Sequence, residues 1–128
     1  MTLLPQFELN ENYATFRPEG PATVAAFVSL VHQAMKACQD RGVTRLLVDA
    51  RQLSHAPLTA VGFFELGSSL AAAWDPHIRL AMVGRPDQID RERFGVLVAE
   101  NRGLRYSVHE SEAEALSHLL AKGGAESP

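Results

Sequence analysis

The chain has 128 residues, 46% hydrophobic and 21% charged, which suits one domain with its own core and leaves wholesale disorder without support. A formal net charge of −3 argues against a nucleic-acid binder or a binder of anionic membranes, either of which needs a basic stripe. The single cysteine, Cys38, excludes an internal disulfide framework and a cysteine-based zinc cluster. Met1 to Pro5 has no positive n-region, so no secretory signal is expected, and no apolar run is long enough to insert across a membrane. A reducing cytoplasm is the expected location.

Phe7 to Leu9 and Tyr13 to Phe16 read as short strands, and Asn10-Glu11-Asn12 between them is a turn signal, so a hairpin opens the fold. Arg17-Pro18-Glu19-Gly20-Pro21 breaks that pattern. Val24, Phe27, Val28, Val31, Met35 and Cys38 then recur at steps of three and four, the core-facing stripe of a helix that Gly42 stops. Cys38 on that stripe reads as a small core hydrophobe. Leu46 to Ala50 is apolar throughout, as in a strand covered on both faces. A second helix is predicted from about Leu58 to Trp74, carrying Gly67 on its inner side and ended by Asp75-Pro76. Ile78 to Val83 forms another strand, and a third helix is predicted over about Asp90 to Arg102, stopped by Gly103. Leu104, Tyr106 and Val108 alternate in a last strand. Ser111-Glu112-Ala113-Glu114 is a capping box that opens the final helix. Residues 1–122 are expected to form one domain, with a frayed, disordered tail over 123–128.

The order β-β-α-β-α-β-α-β-α implies an α/β fold: a single-domain mixed, mainly parallel sheet of about five strands with an N-terminal β-hairpin and four helices. In this order, Leu47-Val48-Asp49-Ala50-Arg51, Leu80-Ala81-Met82-Val83 and Ser111-Glu112-Ala113-Glu114-Ala115-Leu116 resemble the SpoIIAA-like (STAS) domain, and most closely a set of uncharacterised bacterial STAS/SEC14-like proteins. The resemblance spans Phe7 to Leu120 and implies a regulatory, non-enzymatic protein-interaction module. In phosphorylatable members a hydroxyl residue opens the second helix within an Asp-Ser-Ser-Gly type motif. Here the matching place holds Pro57-Leu58-Thr59-Ala60, so the resemblance puts any phosphorylation at Thr59, with the acid and the glycine both missing.

Loops that leave the carboxyl ends of parallel strands are where such folds carry function. Asp49, Arg51 and His55 lie on the first of these loops. Arg85 and Arg91 lie on a second that should sit beside it. With a helix N-terminus nearby this rim could hold an anion, although Asp87, Asp90 and Glu92 offer counter-charges that would make it an ordinary ion-pair face. Phe63 and Phe64 are adjacent on a helix and cannot face the same way. Phe64 therefore joins the partner or ligand surface formed by Asp49, Arg51, His55, Thr59, Arg85 and Arg91.

Asp49, Ser54 and His55 also invite a hydrolase reading, but no Gly-x-Ser-x-Gly elbow accompanies them, and no catalytic residue is assigned. The five histidines show no metal-ligand spacing, so no metal or cofactor is expected. A protein partner of unknown identity is the first expectation. A carrier of a small apolar or anionic, lipid-like ligand is the alternative, and a homodimer stays open.

Overall fold

A computed structural model describes residues 6–89, 100 and 103–121. The expected helix over Asp90 to Arg102, the site candidate Arg91 and the expected tail over 123–128 lie outside the described residues, wholly or nearly so.

Five strands form the main sheet: β1 (Phe7–Leu9), β2 (Ala14–Phe16), β4 (Arg45–Asp49), β6 (Arg79–Val83) and β7 (Tyr106–His109), hydrogen-bonded in that order. β1 and β2 are antiparallel, with Phe7 opposite Phe16, and the Asn10 N–H donates to the Tyr13 carbonyl across the turn at 2.8 Å. The other three pairings are parallel. The expected hairpin and mainly parallel sheet are both present.

Two further strands were not foreseen. β3 (Gly20–Pro21) pairs in parallel with β5 (Leu53–Ser54), so the Arg17-to-Pro21 break and the loop after β4 form a small second sheet. Gly20 takes φ of +89°, a turn that the left-handed region allows a glycine without strain.

Three α-helices are present among the described residues, where four had been expected: α1 (Val24–Arg41), α2 (Ala60–Ala72) and α3 (Glu112–Leu119). α1 begins where the Thr23 hydroxyl accepts from the Ala26 N–H and ends at Gly42 with φ of +69°. Its buried side is Phe27, Val28, Val31, Ala34, Met35 and Cys38.

α2 is shorter than its predicted span and stops before Asp75-Pro76 is reached. Asp75 instead organises the next turn. Its carboxylate accepts from the His77 N–H and from the Gln39 amide, each at 2.9 Å.

The parallel strands are apolar on both sides because each side is covered. Leu46, Val48, Leu80 and Met82 pack with α1 and with Leu70 and Trp74. Leu47, Ala81 and Val83 point the other way and pack against Ala115 and Leu119 of α3. α3 starts on the Ser111 hydroxyl, which accepts from the Glu114 N–H at 3.2 Å. The Ser111 hydroxyl also lies 3.5 Å from the Glu114 carboxylate.

Candidate functional site

The carboxyl end of β4 delivers Asp49 into a buried position, 4% exposed. Two residues on, the chain turns and brings Arg51 back over it. Asp49 Oδ1 accepts from the Arg51 backbone N–H and from its Nε, each at 3.0 Å, and Oδ2 accepts from Nη2 at 2.8 Å. Burial by itself would raise the Asp49 pKa. The bonds from the Arg51 side chain, a contact with the Glu112 carboxyl and the Arg51 N–H outweigh it, and the carboxyl is held below its usual range.

Glu112, in the first turn of α3, is itself held by Arg17. Arg17 donates from Nε to Glu112 Oε2 at 2.8 Å and from Nη2 to Oε1 at 2.9 Å. The same guanidinium reaches Glu8 on β1 at 3.0 Å. The Glu112 hydrogen bond is the main reason the Arg17 pKa is raised, against a smaller opposing effect of burial.

The second loop leaves β6 and forms a single 3₁₀ turn over Pro86–Gln88. It braces the first loop. Arg85 Nη1 donates to the carbonyls of Arg51 and Leu53, and its Nε donates to Asp87 at 3.1 Å. The Gln88 side-chain oxygen Oε1 accepts from the Arg85 N–H and its Nε2 donates to the Ala50 carbonyl, both at 2.8 Å. That amide also meets His55 Nε2 at 3.1 Å, while His55 Nδ1 faces the Ala56 carbonyl at 2.8 Å.

These distances decide between the two readings of the rim. Asp49, Arg51, His55 and Arg85 do come together, as expected from adjacent parallel strands. Their polar groups, however, are spent on one another and on loop carbonyls. Arg51 is neutralised by Asp49, and Arg85 holds backbone and Asp87. The result is a braced loop with ion pairs and not an open anion cradle. The hydrolase reading is corrected in the same way. Both ring nitrogens of His55 face other groups and the Asp49 carboxylate faces Arg51, so Asp49, Ser54 and His55 form no relay.

The braced loop leads into α2. Thr59 is its N-cap, and the Thr59 hydroxyl accepts from the Gly62 N–H at 3.1 Å. Phe64 is 51% exposed and Val61 is 67% exposed, on the outer side of the first turns. Phe63 and Leu66 are half-buried on the other side of α2, where they border an open pocket that Met82 and Val108 also line.

Sequence reasoning missed Glu8, Arg17, Gln88 and Glu112. Arg17 and Glu112 meet across 95 positions, Gln88 reaches the Ala50 carbonyl across 38 and Glu8 meets Arg17 across the hairpin, pairings that no local pattern signals. It also missed that His109 and His118 approach, with ring centroids 5.3 Å apart. Burial, followed by the His118 charge, lowers the His109 pKa. Among the described residues no group of three or more His, Cys, Asp or Glu side chains could hold a metal. Cys38 is buried, which pushes its thiol pKa up to about 12. Among the described residues no helix is long and apolar enough to cross a membrane.

No protein-family model matches the chain, and no curated protein matches it either. Solved structures do. An anti-sigma factor antagonist from Mycobacterium paratuberculosis aligns with a TM-score of 0.55 at 15% identity, over 90% of this chain and 92% of that one. An uncharacterised protein with a SpoIIAA-like fold from Shewanella loihica aligns with a TM-score of 0.47 at 17% identity, over 88% and 90% of the two chains. The chain thus shares the fold of that anti-sigma factor antagonist, a mixed α/β domain with a mainly parallel sheet.

Proposed function

We propose that the protein is a non-enzymatic regulatory module that works by protein contact, with the outer side of the start of α2 as its docking surface. One observation carries this reading: Val61 and Phe64 are large apolar side chains left in solvent, one helical turn apart, on the element that follows the braced loop. A surface that must recognise a partner gains from such bracing, because little order is left to impose on binding. The fold shared with a protein described as an anti-sigma factor antagonist supports the same reading. Thr59 stands at the foot of this surface. A phosphate there would add charge where the first α2 amides point outward, which is the favourable end of a helix for an anion.

Site-specific photo-crosslinking tests the reading. A photo-reactive residue at position 64 should capture a discrete protein from cell extract, and the adduct should disappear with Val61→Asp. The same residue at exposed Gln33 on α1 serves as the control. Equal capture at both positions, or none at 64, would remove the proposal. The adduct mass also tells a second copy of this chain from a different protein.

A further inference from the structure

α2 differs from the other two helices at both of its ends. Its first turn holds no acid and its last turn no base, so no charged side chain offsets either end of its dipole. α3 has Glu112 and Glu114 in its first turn and His118 in its last, and α1 has Arg41 in its last. The C-terminus of α2 also lacks a left-handed glycine: Ala73 stands there, and its N–H reaches the Ala71 carbonyl. Of the 13 residues of Ala60–Ala72, Glu65 alone is charged.

The outer side of α2 is graded in size. Val61, Phe64, Ser68 and Ala72 follow one another at steps of three and four, which places them on one face, with Glu65 and Ser69 beside them. All are exposed except Ser68, which is half-buried. The large apolar side chains stand at the N-terminal end of this face. Its C-terminal half carries small ones and is a shallow strip with room for a large side chain.

We infer that α2 packs against α2 of a second copy of this chain, antiparallel, about a two-fold axis at the middle of this face. The pairing, which rests on the docking reading of Val61 and Phe64, makes the face complementary to itself. Val61 meets Ala72 of the second copy, and Phe64 meets its Ser68 and Ser69, so the large end of each helix fills the shallow end of the other. Glu65 faces the Ser68 hydroxyl of the second copy, which can donate to it. The positive end of each dipole lies beside the negative end of the other, which supplies the compensation that the residues of α2 do not. A parallel pairing would instead set Phe64 on Phe64, Glu65 on Glu65 and like dipole ends together. A different protein would have to bring a matching gradient of its own, whereas a second copy already carries it. One pair of short helices buries less than the roughly 1,200 Å² at which stable complexes begin, so the dimer is a reversible one.

Sedimentation equilibrium of the full-length protein tests the pairing. Wild type should pass from monomer to dimer across the micromolar range and form nothing larger, because a two-fold contact closes on itself. Phe64→Ala should weaken the dimer about tenfold or more. Val61→Lys and Ala72→Glu, both at exposed positions, should each stay monomeric alone, since each would bury an unpaired charge. Mixed in equal amounts, the two should associate. An antiparallel pairing brings the two substituted positions together at one end and leaves the native contact of Val61 with Ala72 at the other. Circular dichroism checks that each variant is folded.

Wild type that stays monomeric up to about 1 mM overturns the pairing. So does a dimer that these substitutions leave intact, or a mixture that stays monomeric. The docking surface is judged separately. If the chain is monomeric and a photo-reactive residue at position 64 still captures another protein, the second copy is lost as the occupant and the surface stands. A monomeric chain with no adduct at 64 loses both.

Discussion

Arg17 and Glu112 are 95 positions apart in the chain, yet they form a two-pronged ion pair at 2.8 and 2.9 Å. The pair joins the end of the opening hairpin to the first turn of the last α-helix, and the Glu112 charge also acts on Arg51. The carboxyl end of β2 and the N-terminus of α3 are thereby tied together. Glu112 also lies in the first turn of α3, where a negative charge is favoured.

The first prediction concerns this pair. Its side chains are 42% and 29% exposed, so water and salt screen the attraction. A double-mutant cycle with Arg17→Ala and Glu112→Ala, read by urea unfolding, should give a coupling of about 1 kcal/mol, because the geometry is two-pronged. The coupling should shrink in 1 M salt. Strictly additive single mutants would show that the pair contributes nothing.

Asp49 should matter more and should show in the acid limb of stability. Its pKa is lowered from 3.8 in the folded chain. The carboxylate therefore contributes stability above pH 3.8, and that contribution is lost as pH falls through the lower native value. Asp49→Asn keeps the shape and removes the charge. It should cost about 2 kcal/mol at pH 7 and flatten the decline below pH 3.8. An unchanged acid limb in the variant would contradict this account.

Thr59 caps α2 whether or not it is ever modified. Thr59→Ala removes the acceptor for the Gly62 N–H and should destabilise the fold by about 1 kcal/mol, whereas Thr59→Asp should keep most of the stability. Thermal melts of the two variants check this. Equal losses would mean that the cap is not what the hydroxyl contributes.

His109, in register with Asp49 two strands away, makes the fold sensitive to milder acid. It faces Ser107 Oγ at 2.9 Å and His118 at 5.3 Å between ring centroids, with Glu114 as the nearby acid. Its folded pKa lies below 6.5, so near that pH the unfolded chain takes up a proton that the native chain still refuses. Stability from this source is present above pH 6.5 and falls as pH drops toward the native value. His109→Gln should reduce the slope of melting temperature against pH between 6.5 and 5, and a slope identical to wild type would exclude His109 as its source.

Much of the fold was legible in the residues because the signals are local. The Val24-to-Cys38 stripe follows the helical repeat. The Leu46-to-Val48 run has no polar face because two helical layers cover it. Gly42 and Ser111 mark helix ends through hydrogen bonds that span three to five residues. The end of α2 was misread for the same reason. Asp75-Pro76 forbids helix at that point, but it does not say how much earlier the helix stops.

The sequence by itself determined the order of the five main-sheet strands, the core stripe of α1, the parallel character of the sheet and the gathering of Asp49, Arg51, His55 and Arg85 at its carboxyl end. Tertiary structure alone decided what those side chains do there. Arg85 proved to hold the carbonyls of Arg51 and Leu53, Gly20–Pro21 found a partner strand in Leu53–Ser54, and Phe63 and Phe64 divided between an open pocket and solvent. The physical reason is range. Periodicity and capping are settled within one or two turns of chain, whereas the partner of a buried charge and the space beneath a helix depend on which distant segments are folded against each other.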